Sequence, residues 1–271
     1  MTTQQQVALV TGASSGIGKE VAHRLVEAGF QVVGTSRHAS GLTGRDGLTY
    51  VDLDVSNDAS VIAAVEHVIG RYGRLDVLVN NAGIGSLGAA EELSVAQDRN
   101  VIDVNVVGVM RMMKAVLPHM RAQGRGRIVN ISSIVGLVPQ PHMAVYVASK
   151  HALEGYSESV DHEVREYGVR VVLVEPGPTS TAFGTAVVRP EVLIPAYAHQ
   201  RETFAEVIAD SSGGADDAAT VAKVVVNAAT DAKPRLRYPA GGTATRVSAL
   251  RRFVPARVFD KQIRKINRFA H

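Results

Sequence analysis

Residues 6–29 read QVALVTGASSGIGKEVAHRLVEAG. The first five, Gln6–Val10, are a short β-rich run, and the apolar residues Val21, Ala22, Leu25 and Val26 recur at helical spacing until Gly29 stops them. Between the two lies Thr11-Gly12-Ala13-Ser14-Ser15-Gly16-Ile17-Gly18. The stretch is therefore a strand, a glycine-rich turn and a helix. Glycines let a backbone reverse sharply and approach a ligand closely, while a helix start offers unpaired N–H donors and partial positive charge to a pyrophosphate. The spacing G-x-x-x-G-x-G differs from the G-x-G-x-x-G of the common dinucleotide fingerprint. Taken alone, it fits either a phosphate cradle or a plain tight βα turn.

The same alternation runs outward along the chain. Gln31–Thr35 and Thr49–Val51 are further apolar runs, Val61, Ile62, Val65, Val68 and Ile69 mark a helix from Asp58 to Arg71, and Leu75–Asn80 is nearly all apolar, as a strand buried on both faces should be. A helix around Asn100–Met120, a strand Arg127–Ser132, a helix over Tyr146–Tyr167 and a strand Val169–Val174 follow. Such a βαβ series forces parallel pairing with right-handed crossovers. The expected fold is a doubly wound α/β sheet with helices on both faces and its ligand at the carboxyl ends of the strands. We expect one catalytic domain over residues 1–232, with a long excursion from Pro176 to about Gly214, and a basic helical extension over 233–271.

Composition narrows the chemistry. The 271 residues contain no cysteine, which excludes disulfides, thiolate metal sites, iron–sulfur clusters and cysteine nucleophiles. The nine histidines show no H-E-x-x-H or similar spacing, so no catalytic metal is expected. No apolar run is long enough to cross a membrane, and the opening MTTQQQ lacks the basic start and apolar stretch of an export signal. A cytoplasmic location is expected. From Lys233 onward eleven Lys and Arg face one acid, Asp260, leaving 18 basic and 25 acidic residues in the first 232.

Three motifs, TGASSGIG at 11–18, NNAG at 80–83 and Tyr146-Val147-Ala148-Ser149-Lys150, with Ser133 thirteen residues before Tyr146, together resemble the short-chain dehydrogenase/reductase family. The likeness covers residue 7 to about residue 181. It implies a Rossmann-type domain that binds a nicotinamide dinucleotide through Gly12, Ser14, Ser15, Gly16, Ile17 and Gly18. By the same resemblance Asp54 and Val55 lie beside the adenine, and Asn81, Ala82 and Gly83 beside the adenosine ribose. Asn80 reads instead as a strand-end stabiliser. Pro176, Gly177 and Thr179 resemble the turn that closes over the carboxamide, and Thr181 sits where a threonine commonly contacts the cofactor. At the end of the second strand an acid would bind the 2′-hydroxyl of NAD, and a base the 2′-phosphate of NADP. Gly34-Thr35-Ser36-Arg37-His38 has no acid, so Ser36 and Arg37 point to NADP(H).

Tyr146 and Lys150, four apart on a helix, share one face. An adjacent ammonium, and the positive charge of an oxidised nicotinamide, favour the phenolate, so Tyr146 is expected to have a lowered pKa and to exchange a proton with a substrate oxygen. The resemblance adds that Lys150 bonds the nicotinamide ribose, that Ser133 bonds the substrate oxygen, and that Asn105 holds a helix distortion and a water leading from Lys150 to solvent. Ser132 is left a backbone-bonding role. No G-x-S-x-G surrounds Ser133, which argues against a serine nucleophile.

Ile134, Val135, Leu137, Val138, Met143 and Phe183 suggest an apolar substrate pocket, with Met143 and Phe183 as substrate contacts. The leading expectation is an NADP-dependent oxidoreductase of a secondary alcohol or ketone, sterol-like or otherwise hydrophobic. Reduction of a 3-oxoacyl thioester, and a non-catalytic dinucleotide binder recruiting a partner through its tail, are the alternatives. In the tail, Val258, Phe259, Ile263, Ile266 and Phe269 share one helical face, with Lys261, Arg264, Lys265 and Arg268 elsewhere. It fits a helix packed over the pocket or on a partner subunit, an interfacial membrane helix, or a surface for an anionic carrier or nucleic acid, the last with no nucleic acid expected as partner. The family resemblance makes a homo-oligomer, dimer or tetramer, the default.

Overall fold

A computed structural model describes residues 5–181 and 186–268. In chain order the elements are β1 (Val7–Val10), α1 (Gly16–Glu27), β2 (Gln31–Ser36), β3 (Leu48–Asp52), α2 (Asp58–Tyr72), β4 (Val77–Asn80), β5 (Gly85–Ser86) and α3 (Val95–Ile102). A π-helical turn (Asp103–Val107) leads into α4 (Gly108–Ala122), β6 (Gly126–Ile131), α5 (Ala144–Val164), β7 (Val169–Pro176), β8 (Thr179–Ser180) and β9 (Val187–Val188). Then come α6 (Ala198–Ser212), β10 (Asp216–Asp217), α7 (Ala218–Thr230), β11 (Arg237–Ala240), α8 (Gly242–Phe253) and α9 (Ala256–Ile266).

Seven strands form the central sheet in the order β11-β7-β6-β4-β1-β2-β3, all parallel. The chain winds outward from β1 in one direction and from β4 in the other, so the switch point lies between these two strands, the usual ligand crevice of such sheets. This is the Rossmann-type fold expected. Alternation along each strand divides the core. Ala8, Val10, Val77, Val79, Val129, Val172 and Val174 face α1 and α7, while Leu9, Leu78, Ile128, Val171 and Leu173 face α2, α4 and α5. Each Val or Leu buried this way contributes roughly 1.5–3 kcal/mol.

Two elements differ from the sequence reading. The helix expected over Asn100–Met120 is interrupted at Asp103–Val107, where the Gly108 N–H reaches back to the Asp103 carbonyl, one residue farther than in an α-helix. Residues 237–240, read as extension, form the edge strand of the main sheet, so the sheet does not end within residues 1–232. Pro239 obscures this strand, yet an edge position tolerates proline because its outer side needs no donor. The excursion after Pro176 contains α6, which the sequence reading does not place. Among the described residues no helix is long and apolar enough to cross a membrane.

Candidate active site

The glycine turn is built to close tolerances. Gly12 and Gly16 have φ of 63° and 53°, in the left-handed region. A Cβ on Gly18 would sit 2.3 Å from the Gly12 carbonyl oxygen and 2.4 Å from Asn81 Nδ2. Asn81 Nδ2 donates to the Thr11 and Gly12 carbonyls at 2.9 and 3.1 Å, and Thr11 Oγ1 accepts from the Asn81 and Ala82 N–H groups, both at 2.9 Å. Asn81 and Ala82 thus shape the turn from the end of β4. Ser14 and Ser15 are exposed, and Ser15, which precedes α1, makes no side-chain bond to the helix. The start of α1 is therefore not capped by Ser15, and the cradle fits a pyrophosphate.

Other predicted cofactor residues gather around this end. A Cβ on Gly16 would meet the Thr181 side chain at 3.4 Å, so the segment after β7 passes over the start of α1. Pro176 is buried as the last residue of β7, the Gly177 N–H donates to the Ala240 carbonyl at 3.2 Å, and Thr179 Oγ1 donates to the Gly177 carbonyl at 2.9 Å. At the end of β2, Ser36 is half-buried and Arg37 exposed. Asp54 has its carboxyl held below the ordinary range, first by the Ser56 hydroxyl at 2.6 Å, then by the Ser56 N–H, with the Arg37 charge helping. Val55 packs against Gly108, where a Cβ would lie 3.0 Å from its Cγ2. Asn80 is spent inside the sheet, donating to Asn130 Oδ1 at 2.8 Å. Phe183 lies outside the described residues. Met143 caps the start of α5, half-buried, three residues before Tyr146.

The chemical groups meet where β6 gives way to α5. The Ser133 hydroxyl is hydrogen-bonded to the Tyr146 phenol and also accepts from the Val135 N–H at 3.3 Å. Lys150 Nζ donates to the Ile131 carbonyl at 2.8 Å and stands 5.7 Å from the centre of the Tyr146 ring. Tyr146 and Lys150 are both buried. Burial pushes the phenol up to about 12, with Ser133 opposing, and pushes the ammonium down to about 8, with Glu154 opposing. In the protein without cofactor, burial thus keeps the Tyr146 phenol protonated, and the lowering expected of it rests on the charge that an oxidised nicotinamide would add. Ser132 faces the other way, toward Glu154.

Asn105 sits in the π turn with its side chain fully engaged. Its Oδ1 accepts from the Ile84 N–H at 2.9 Å, and its Nδ2 donates to the Ile84 carbonyl at 2.8 Å and to Ser149 Oγ at 3.0 Å. It ties the turn after β4 to the helix that carries Tyr146 and Lys150. A Cβ on Gly83 would come 3.2 Å from Asn105 Oδ1, so Gly83 is the room this contact needs.

Behind Lys150 lies a buried charged cluster that sequence reasoning missed. Glu154, one turn along α5, takes Arg237 Nε at 2.9 Å, and Arg237 Nη2 reaches Glu158 at 2.9 Å. Glu175, fully buried in β7, has Arg237 Nε at 3.5 Å from Oε1. Glu154 could have been found from its four-residue spacing to Lys150, but Glu175 and Arg237 are brought in by the sheet. His142, read as a loop residue, is buried with φ of 59° and stacks on Phe204, ring centres 5.2 Å apart. A cleft of about 600 Å³ beside it is bounded by Thr203 of α6 and by Arg264 and Arg268 of the tail. Among the described residues no cluster of three or more His, Asp or Glu could hold a metal ion.

Comparison with known proteins agrees with this architecture. The chain is 48% identical over 181 residues to a 3-ketodihydrosphingosine reductase of Bacteroides thetaiotaomicron, covering 66% of each, just under two thirds of that relative's length. It is 40% identical over 252 residues to human 17-beta-hydroxysteroid dehydrogenase type 1, covering 86% of this chain and 76% of that one. A crystal structure of a short-chain dehydrogenase from Streptomyces avermitilis superposes with a TM-score of 0.85 at 36% identity, covering 99% of both chains. Residues 6–191 match the family described as short chain dehydrogenase, and the chain belongs to that family of oxidoreductases.

Proposed function

We propose that the protein is an NADP-dependent oxidoreductase that moves a hydride between the nicotinamide and a secondary alcohol or ketone carbon of an apolar substrate. The convergence of Ser133, Tyr146 and Lys150 where β6 gives way to α5 carries this reading. The nicotinamide, when bound, gives or takes the hydride. In reduction the carbonyl oxygen takes its proton from Tyr146 Oη, which burial keeps neutral and hence an acid. Ser133 Oγ, bonded to the phenol, steadies the charge that develops on the same oxygen. Lys150 contributes positive charge beneath the phenol and holds the nicotinamide ribose, and Asn105 fixes the helix that carries both.

Gly12, Ser14, Ser15, Gly16, Ile17 and Gly18 would hold the pyrophosphate, while exposed Arg37 with Ser36 would meet a 2′-phosphate. Asp54, Val55, Asn81, Ala82, Gly83, Pro176, Gly177, Thr179 and Thr181 complete the cofactor site, and Met143 would contact the substrate, a role that the sequence reading also gives to Phe183. Similarity to a 3-ketodihydrosphingosine reductase and to a hydroxysteroid dehydrogenase supports an apolar carbonyl compound over other classes. Residues 1–232, completed by β11, form the catalytic domain of a cytoplasmic homo-oligomer, and the rest of 233–271 is its helical extension. The test follows NADPH and NADH oxidation over long-chain ketones, sterols and oxoacyl thioesters. Turnover with NADPH that vanishes in Tyr146→Phe is expected. Turnover retained in that variant refutes the assignment.

A further inference from the structure

The basic tail is neither loose nor fully covered. On α8, Ala244 is buried and Arg251 Nε donates to the Leu137 carbonyl at 3.1 Å, so this side faces the loop after Ser133. Arg246, Leu250 and Phe253, at i, i+4 and i+7, fall on the opposite side, with Leu250 53% and Phe253 78% exposed. On α9, Phe259 lies under the Arg251 guanidinium at 5.2 Å, and Asn267 just beyond it is buried and accepts from Gln140 at 2.6 Å. That inward line leaves Val258, Lys261 and Lys265 outside, while Ile266, two turns on from Phe259, lies at the open edge of the inward side; Val258 is 48% and Ile266 60% exposed. Arg246, Arg257, Lys261 and Lys265 are exposed and make no ion pair among the described residues.

We propose that the outer face of α8 and α9 binds an anionic lipid surface, with Phe253, Leu250, Val258 and Ile266 entering the interface and the cations meeting the head groups. Large apolar side chains left exposed beside unpaired cations of one sign are the pattern of a helix lying in the plane of a membrane interface. The charge opposes the simplest alternative. A second copy paired about a two-fold axis would set this face against itself and oppose like charges, since Asp260 is the one acid of the tail. Because Arg251 and Asn267 fasten the helices to Leu137 and Gln140, lipid contact would turn the loop after Ser133 toward the bilayer. This proposal does not rest on the oxidoreductase reading.

The test is vesicle flotation of the full chain, with phosphatidylcholine alone and with about 30% phosphatidylglycerol added. Flotation with the anionic vesicles alone, weakened by added salt, is expected. Phe253→Asp with Ile266→Asp, and separately Lys261→Glu with Lys265→Glu, should each lower the bound fraction about tenfold without changing the melting temperature. Absence of wild-type flotation overturns the proposal, as does equal flotation of both double variants. Retention on heparin without flotation assigns the tail to a polyanion instead. A mass that falls to monomer in Phe253→Asp with Ile266→Asp assigns the face to a second copy.

Discussion

Glu175→Gln should stabilise the protein by an amount that grows with pH. The Glu175 side chain is fully buried in β7, and neither carboxylate oxygen has a hydrogen-bond partner among the described residues. Arg237, 3.5 Å away, is already engaged by Glu154 and Glu158. Burial, reinforced by the Glu154 charge and opposed by Arg237, drives the Glu175 carboxyl from 4.5 to about 7. The folded chain thus binds a proton that the unfolded chain releases near 4.5, so stability falls as pH rises between 4.5 and about 7 and then levels off. The loss above that window is about 3 kcal/mol, and an amide that cannot ionise escapes it. At about 2–4 °C per kcal/mol, the variant should melt roughly 6–12 °C above wild type near pH 8.5 and close to it near pH 5. Urea unfolding of both proteins across this range measures the gap directly. A gap that stays constant with pH would refute the reasoning, because Glu175 would then hold one charge state throughout.

Three further outcomes test the site. Reduction should lose kcat/KM as pH rises through about 8, the point to which burial lowers Lys150, whose ammonium is the form that supports the phenol; a profile level across that point counts against it. Arg37→Asp should raise the kcat/KM preference for NADH over NADPH by about 100-fold or more if the exposed guanidinium meets a 2′-phosphate, and an unchanged ratio removes Arg37 from the cofactor site. Gly18→Ala should cost about 1–3 kcal/mol and most dinucleotide affinity, measured by melting with and without NADPH, because its Cβ would lie 2.3 Å from the Gly12 carbonyl oxygen.

The parts legible in the sequence were those governed by local rules. A glycine turn between strand and helix, alternating elements, and a Tyr and Lys four residues apart all depend on neighbours in the chain. They place the Rossmann-type sheet and bring Tyr146 and Lys150 onto one face of α5. The parts that stayed hidden depend on distant contacts. The π turn exists where Asn105 engages Ile84 and Ser149, 21 and 44 residues away, and no helical periodicity reports such bonds. β11 contains a proline, and its place is given only by pairing with β7.

Charge state is the least legible property for the same reason. Sequence spacing puts an ammonium near a phenol and suggests a phenolate, but the balance is decided by how completely both groups leave water, which only the packed sheet and α5 determine. Lys150 spends a proton on the Ile131 carbonyl, and Glu154 lies one turn beyond it, held by an arginine from the last strand. The site's protonation is therefore coupled to β11, a segment outside the motifs that mark the family. A change at Arg237 would release Glu154 and Glu175 from their shared cation. It should alter the pH dependence of turnover while leaving Ser133, Tyr146 and the glycine turn untouched, and a variant such as Arg237→Met with a wild-type pH profile would show that the cluster serves stability alone.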